Sequence, residues 1–336
     1  MPSAPDTPGR VCRCASWSRG RSAGSDTNGA TIHIARSLHS PTESGTAPDT
    51  RCADQDRMET PVTRDKAAPR GIDRTVPSVA RVYDYFLGGK DNFEVDRKVA
   101  EHALRITPDG PAAGQANRAF LRRVIRFLVT EAGIDQFLDL GSGLPTQGNV
   151  HEVATEHNSN ARVVYVDNDP IVLTHGRALL AAEGTATVIQ ADIRRPQEIL
   201  DDPDVRRFLD FDRPVGLLLF AILHHLGDDE EPRAVSAELI DALPSGSYVA
   251  ISHFRDPGER DPEGSRKARE VERVFNESLG TGRWRTDEEI LSFADGLTVL
   301  EPGLVPLAEW RPDPGTPAPK QTDTYHTFVG LLARKP

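Results

Sequence analysis

From Val76 to about Thr130 the apolar positions recur at helical spacing. Val79, Val82, Tyr83 and Phe86 form a first stripe that Gly88-Gly89 interrupts, and Val95, Val99, Ala103 and Leu104 form a second that ends before Pro108. A third runs through Ala119, Phe120, Val124, Phe127 and Leu128, with Arg118, Arg122, Arg123 and Arg126 on its wetter side, a pattern that reads as a solvated face. Beyond residue 134 short apolar runs alternate with helical stretches, which predicts strands at 136–141, 162–167, 186–191, 214–220 and 246–252. Asp169-Pro170 opens one of the intervening helices, a carboxylate cap followed by proline in the first turn. A later helix is expected from Arg266 to Leu279, and Thr286-Asp287-Glu288-Glu289 is a capping box opening another. Val299-Leu300 and Phe328 to Leu332 add two last strands, separated by a Pro-rich stretch. The expectation is therefore an α/β fold: a seven-stranded, mostly parallel sheet with a closing hairpin and helices on both faces, behind an N-terminal helical cap over 71–134.

Two of the predicted strands end in chemistry. The first runs into Asp139-Leu140-Gly141-Ser142-Gly143, and the second, Val163 to Val166, closes on Asp167-Asn168. Glycines after a strand let the backbone approach a ligand, because no Cβ stands in the way, and a carboxylate at the next strand end can accept both ribose hydroxyls. A dinucleotide fingerprint would place glycine at 146, where this chain has Thr146. The loosened turn suits an adenosine cofactor without a pyrophosphate. It resembles the first motif of class I S-adenosylmethionine methyltransferases, acidic-x-G-x-G, supplied by Asp139, Gly141 and Gly143, and that resemblance implies S-adenosyl-L-methionine as cofactor and a Rossmann-like methyltransferase sheet.

The resemblance extends along the strand ends. An acidic residue after the third strand binds the adenine amino group in that class while its apolar neighbour covers the ring, and Asp192-Ile193 fits; the alternative is that Asp192 caps the turn before Pro196. The fourth strand, Val215 to Phe220, has no polar alternation, as a central strand buried on both faces should not. Its carboxyl end reads Ala221-Ile222-Leu223-His224-His225-Leu226. Small-molecule O-methyltransferases often carry L-H-x-W-x-D there, with the histidine as general base; His224 falls on that position, although Leu226 replaces the tryptophan, and packing beside the cofactor is the rival role. The segments Arg81 to Arg97 and Gly141 to His151 resemble the two signatures of an actinobacterial methyltransferase family long catalogued as a domain of unknown function, over about residues 71 to 334. Within the first signature, Tyr-Asp-Tyr-Phe-Leu-Gly-Gly either forms a lid over the methionine end of the cofactor or packs as a helix, and Tyr85, Asn92 and Asp84 are the candidate contacts. His151, three residues into the following helix, reads as structural.

Composition narrows the partners. The 336-residue chain carries a net charge of −11, which disfavours a nucleic-acid polyanion and leaves a small-molecule acceptor as the expected partner. No run resembles a membrane span, and a cytoplasmic location is expected. All three cysteines, Cys12, Cys14 and Cys52, fall in a Ser-, Pro-, Gly- and Arg-rich leader expected to be disordered to about residue 70. Cys12-x-Cys14 has no partner pair at metal spacing, and the leader lacks the apolar region of a secretory signal. Met58 is the only methionine besides Met1, so translation from Met58 and a genuine tail are both open. The function expected is S-adenosylmethionine-dependent methylation, with a secondary-metabolite hydroxyl as first candidate acceptor. A non-catalytic cofactor-binding sensor or assembly module is the alternative. A nicotinamide oxidoreductase is weaker still, since no Tyr-x-x-x-Lys pair is present.

Overall fold

Three helices lead into the sheet in a computed structural model that describes residues 72–145, 148–180 and 184–336. These are α1 (Val79–Phe86), α2 (Glu94–Ile106) and α3 (Gly110–Thr130). The leader with its cysteines and Met58, and Thr146 in the glycine turn, lie outside the described residues. The third helix begins earlier than its apolar stripe, because Pro111 sits in its first turn, where a missing N–H costs no helical hydrogen bond.

The alternating part follows as β1 (Gln136–Leu140), α4 (Val150–His157), β2 (Arg162–Asp167), α5 (Pro170–Leu180), β3 (Ala186–Gln190), α6 (Pro196–Leu200), α7 (Pro203–Phe208), β4 (Gly216–Phe220), α8 (Pro232–Asp241) and β5 (Tyr248–Phe254). The chain ends with α9 (Pro262–Leu279), α10 (Asp287–Leu291), β6 (Thr298–Val299), β7 (Val305–Pro306) and β8 (Phe328–Arg334). Strand order is β3-β2-β1-β4-β5-β8-β6, parallel through β5, with β8 antiparallel between β5 and β6. The described residues thus hold eight strands instead of the expected seven. The Pro-rich connection contributes the extra one, since Val305-Pro306 pairs with Gly330 and Val329.

Several local expectations are met atom by atom. Asp169 Oδ1 accepts the Ile171 N–H (3.0 Å) at the start of α5. Thr286 and Glu289 exchange the two bonds of a capping box at α10. The helix expected from Arg266 starts a turn earlier at Pro262, because the Asp261 carboxylate accepts the Gly264 N–H (2.9 Å).

Alternate residues of β1 divide the core. Leu138 and Leu140 pack with Val164, Val166, Leu217 and Leu219 on the side of α6 and α8, while Phe137 packs with Val163, Leu218 and Phe120 of α3 on the other. The same alternation sends Asp139 to the Phe137 side, towards α3. On the far side of α1, buried Arg81 donates from Nε to Asp96 Oδ2 (2.9 Å), and Asp96 also accepts the backbone N–H of Ser78 and Phe93. One carboxylate thereby fixes the starts of α1 and α2.

Candidate active site

A cavity of about 710 Å³ opens at the carboxyl ends of β1 to β5, where a parallel sheet places its ligands. Asp139, Gly141, Ser142, Gly143, Asp167, Asn168, Asp192, Ile193, Phe220 and His224 all line it. Positions more than eighty residues apart in sequence therefore share one wall.

The glycine turn is built for close approach. Gly141 and Gly143 have φ of 70° and 67°, a region that side chains with a Cβ avoid, and a Cβ on Gly141 would lie 2.5 Å from the Ile222 side chain. The Gly143 N–H donates to Asp167 Oδ2 (2.8 Å) and the Asp169 N–H to Asp167 Oδ1 (2.9 Å). Each Asp167 oxygen keeps a lone pair for a further donor. Burial pushes Asp167 up to about 6, opposed by those two N–H bonds. Asp139, 5% exposed, is pushed up to about 7 by burial, which the Arg118 guanidinium offsets only in part. Arg118 itself lines the cavity from α3, so the arginine row is not simply a solvated face. Arg123 instead holds the carbonyls of Trp310 and Leu307, and Arg126 pairs with Asp313. The sequence signal for Arg118 would have been its helical phase, on the flank of the buried Asn117 and Leu121.

Asp192 combines both of its anticipated roles' geometries. It lies at the cavity edge, caps the following turn through the Arg194 N–H (3.0 Å), and pairs with the Arg194 side chain, which lowers its pKa. Phe220 packs edge-on against Phe120, 5.4 Å between ring centres.

Tyr85 and Asn92 do not join the cavity wall. Asn92 Nδ2 donates to Asp84 Oδ2 (2.8 Å), which also takes the Asp91 N–H (3.0 Å), and a Cβ on Gly89 would overlap the Asp84 carboxylate. Asp84, Gly89 and Asn92 therefore tie a turn between α1 and α2, and Tyr85 Oη reaches Glu101 (3.3 Å). From the same helix it is Tyr83 and Phe86 that line the cavity.

Beyond β4 the chain turns through Ala221, whose φ of 53° is unusual for a residue with a side chain, held by the Ser252 hydroxyl and carbonyl. His224 follows, 1% exposed, stacked on Phe254 with 3.7 Å between ring centres. Its Nδ1 accepts the Phe254 N–H (3.2 Å), so in the neutral ring the hydrogen sits on Nε2, which is buried with no hydrogen-bond partner. Burial, then the neighbouring histidines and Arg285, hold its pKa well below the ordinary imidazole value. This ring is poised to donate a hydrogen bond, not to take a proton at Nε2. Buried Arg285, with no motif to reveal it in the sequence, fixes the turn by donating to the carbonyls of Leu223 and Leu226 and to Asp228. Among the described residues no group of three or more His, Cys, Asp or Glu could hold a metal ion, and no helix is long and apolar enough to cross a membrane.

A family model described as S-adenosyl methyltransferase matches residues 65–336. The chain belongs to that family. A Thermobifida fusca YX protein described as a candidate methyltransferase is 45% identical over 80% of this chain and 98% of its own, with a TM-score of 0.74. A DUF574 family protein from Streptomyces avermitilis MA-4680 is 39% identical over 79% and 99%, with a TM-score of 0.73. No curated protein matches. The family makes this an S-adenosylmethionine-dependent methyltransferase, and the site suits that cofactor. Asp139 and Arg118 stand close together on the cavity wall, and the cradle at Gly141 admits no Cβ.

Proposed function

We propose that this methyltransferase acts on an oxygen of a small-molecule acceptor. The observation that carries the reading is that, besides the cofactor motifs, the cavity is walled by the aromatic side chains Phe86, Phe254, Trp284 and Phe328 together with His224, the acceptor lobe of this reading. S-adenosylmethionine, when bound, would supply an electrophilic methyl on a sulfonium that is already a good leaving group: transfer to a hydroxyl forms an O–CH3 bond as the C–S bond breaks, leaving S-adenosylhomocysteine, and the hydroxyl proton passes to solvent. The chain's own task is to bind and align. Asp167, with Asn168 beside it, receives the ribose hydroxyls; Asp192 and Ile193 receive adenine; Asp139 and Arg118 take the methionine end, with Gly141, Ser142, Gly143 and Phe220 shaping the passage. Holding donor and acceptor in register is worth several orders of magnitude in rate. Tyr85 and Asn92 have no contact role in this reading and serve to fix α1. The helices of 71–134 act as a cap, with α1 anchored by the Arg81–Asp96 pair.

Incubation with methyl-labelled S-adenosylmethionine and a metabolite extract of the producing organism, followed by mass spectrometry, tests the reading. A labelled small molecule, methylated on oxygen, is expected. Label found only in protein or nucleic acid would sink it.

A further inference from the structure

On that reading of the site, we propose that the acceptor is a neutral, planar aromatic compound bearing an oxygen, packed against the edges of the lobe's rings with that oxygen on His224 Nε2–H. Three rings already lie nearly parallel: His224 on Phe254 at 15°, and Phe254 on Trp284 at 13°, with ring centres 3.7 and 4.4 Å apart. Phe275 meets Trp284 edge-on at 5.7 Å. His224 and Trp284 cover both faces of Phe254, so a flat ligand joins this cluster at the imidazole edge, through the edge-to-face contacts that aromatic pairs favour, whereas a saturated skeleton lacks the ring face and edge to make them.

The polar groups are few and specific. His224 Nε2 and Asn117 Oδ1 are both buried without a hydrogen-bond partner, in residues that are 1% and 4% exposed and line the cavity. The Asn117 assignment follows from its network: the Tyr83 hydroxyl donates to the Gly114 carbonyl and accepts from Asn117 Nδ2, which leaves Oδ1 as the free acceptor. Buried polar atoms of this kind are ordinarily satisfied, so each points to a ligand group: an oxygen for the imidazole donor, a hydroxyl or amine hydrogen for the amide oxygen. Lys267, which lines the cavity next to Ala268, is engaged by Asp323 at 2.8 Å and so is not free to pair with an anionic acceptor. Small Ala103 on α2 and Ala268 on α9 also line the cavity, where the two helices pack together.

Calorimetric titration of the full chain, saturated with S-adenosylhomocysteine, tests this with three probes. We expect 2-naphthol to bind at least about tenfold more tightly than decalin-2-ol, its saturated counterpart, and about tenfold more tightly than naphthalene, which lacks the oxygen. Ala268→Phe should fill the lobe and weaken 2-naphthol at least tenfold while S-adenosylhomocysteine affinity stays within about twofold. Equal binding of 2-naphthol and decalin-2-ol, or of 2-naphthol and naphthalene, overturns the proposal even if the variant fails to fold. So does undiminished 2-naphthol binding in Ala268→Phe. Failure of the wild-type chain to bind S-adenosylhomocysteine would instead bring down the functional reading and this inference with it.

Discussion

At one end of the cavity, carboxylates stand at the ends of neighbouring strands, Asp139 on β1 and Asp167 on β2, held above their ordinary pKa by burial. At the other, His224 is buried against Phe254 with His253 buried behind it and half-buried His225 beside it, and all three are held below theirs. The same physical cause, removal from water, therefore leaves both ends short of charge, but the consequence for pH is opposite. The two acids favour the fold at low pH: their stability contribution is full below about pH 4 and is lost as pH rises through 6 to 7. The histidines favour it at high pH: theirs is full above about 6.5 and is lost as pH falls towards 4 and 3, the values to which His225 and His253 are lowered. A cationic cofactor end rewards ionised acids, whereas neutral imidazoles suit an uncharged acceptor.

The helix shared by both ends gives the largest expected effect. Arg81→Met leaves Asp96 buried without its cation and should cost about 3–5 kcal/mol of stability, read by denaturant unfolding. Loss of less than about 1 kcal/mol would show that the backbone donors of Ser78 and Phe93 suffice, and that α1 is not anchored by charge.

Next comes the acid end itself. Asp139→Asn removes a group whose ionisation the fold resists, so the variant should gain stability over wild type as pH rises from 5 to 8, by about 1–4 kcal/mol at the upper end. S-adenosylhomocysteine binding should move the other way, tightening with pH in the wild type and losing that dependence in the variant. Parallel pH profiles for the two proteins, by thermal unfolding and calorimetry, would refute the assignment of Asp139 to the ligand's ammonium. Asp167→Ala is expected to weaken the same ligand by about 1.5–3 kcal/mol, the range for bonds to a charged group. Its acceptor lobe should be untouched, so 2-naphthol affinity in the saturated complex is the internal control.

The two ends also differ in how far the sequence discloses them. The gathering of Gly141, Asp167 and Asp192 on one cavity wall was legible because they sit where strands stop: each follows an apolar run at a fixed offset, and the parallel sheet brings them together. The acceptor lobe draws Tyr83 from α1, Asn117 from α3, Phe275 from α9 and Phe328 from β8, and only tertiary packing brings them together. Tyr85 and Asn92 show the limit from the other side. Their motif is dense enough to suggest ligand contact, yet a helix presents Tyr83 and Phe86 to the cavity and turns Tyr85 away, while Asn92 is consumed by Asp84. The additional strand, β7, was invisible for a simpler reason, since two residues containing a proline carry no strand period.

The smallest expected effect is the most discriminating. A general base at His224 would give a rate that falls as pH drops through an imidazole pKa near neutrality, and His224→Gln would lose roughly 10²–10⁴-fold. The geometry argues otherwise: Nδ1 is occupied by the Phe254 N–H, Nε2 carries the hydrogen, and burial keeps the ring neutral throughout the physiological range. Glutamine carries its amide at the distance of Nε2 and can still donate to the acceptor there, giving up only the Phe254 bond at Nδ1. His224→Gln should therefore retain kcat/KM to within about tenfold and leave the shape of its pH profile between 6 and 8 unchanged, measured with the methylated product from the labelled extract. A hundredfold loss accompanied by disappearance of a pH limb would restore the base, and would mean that the Phe254 bond breaks when the acceptor arrives.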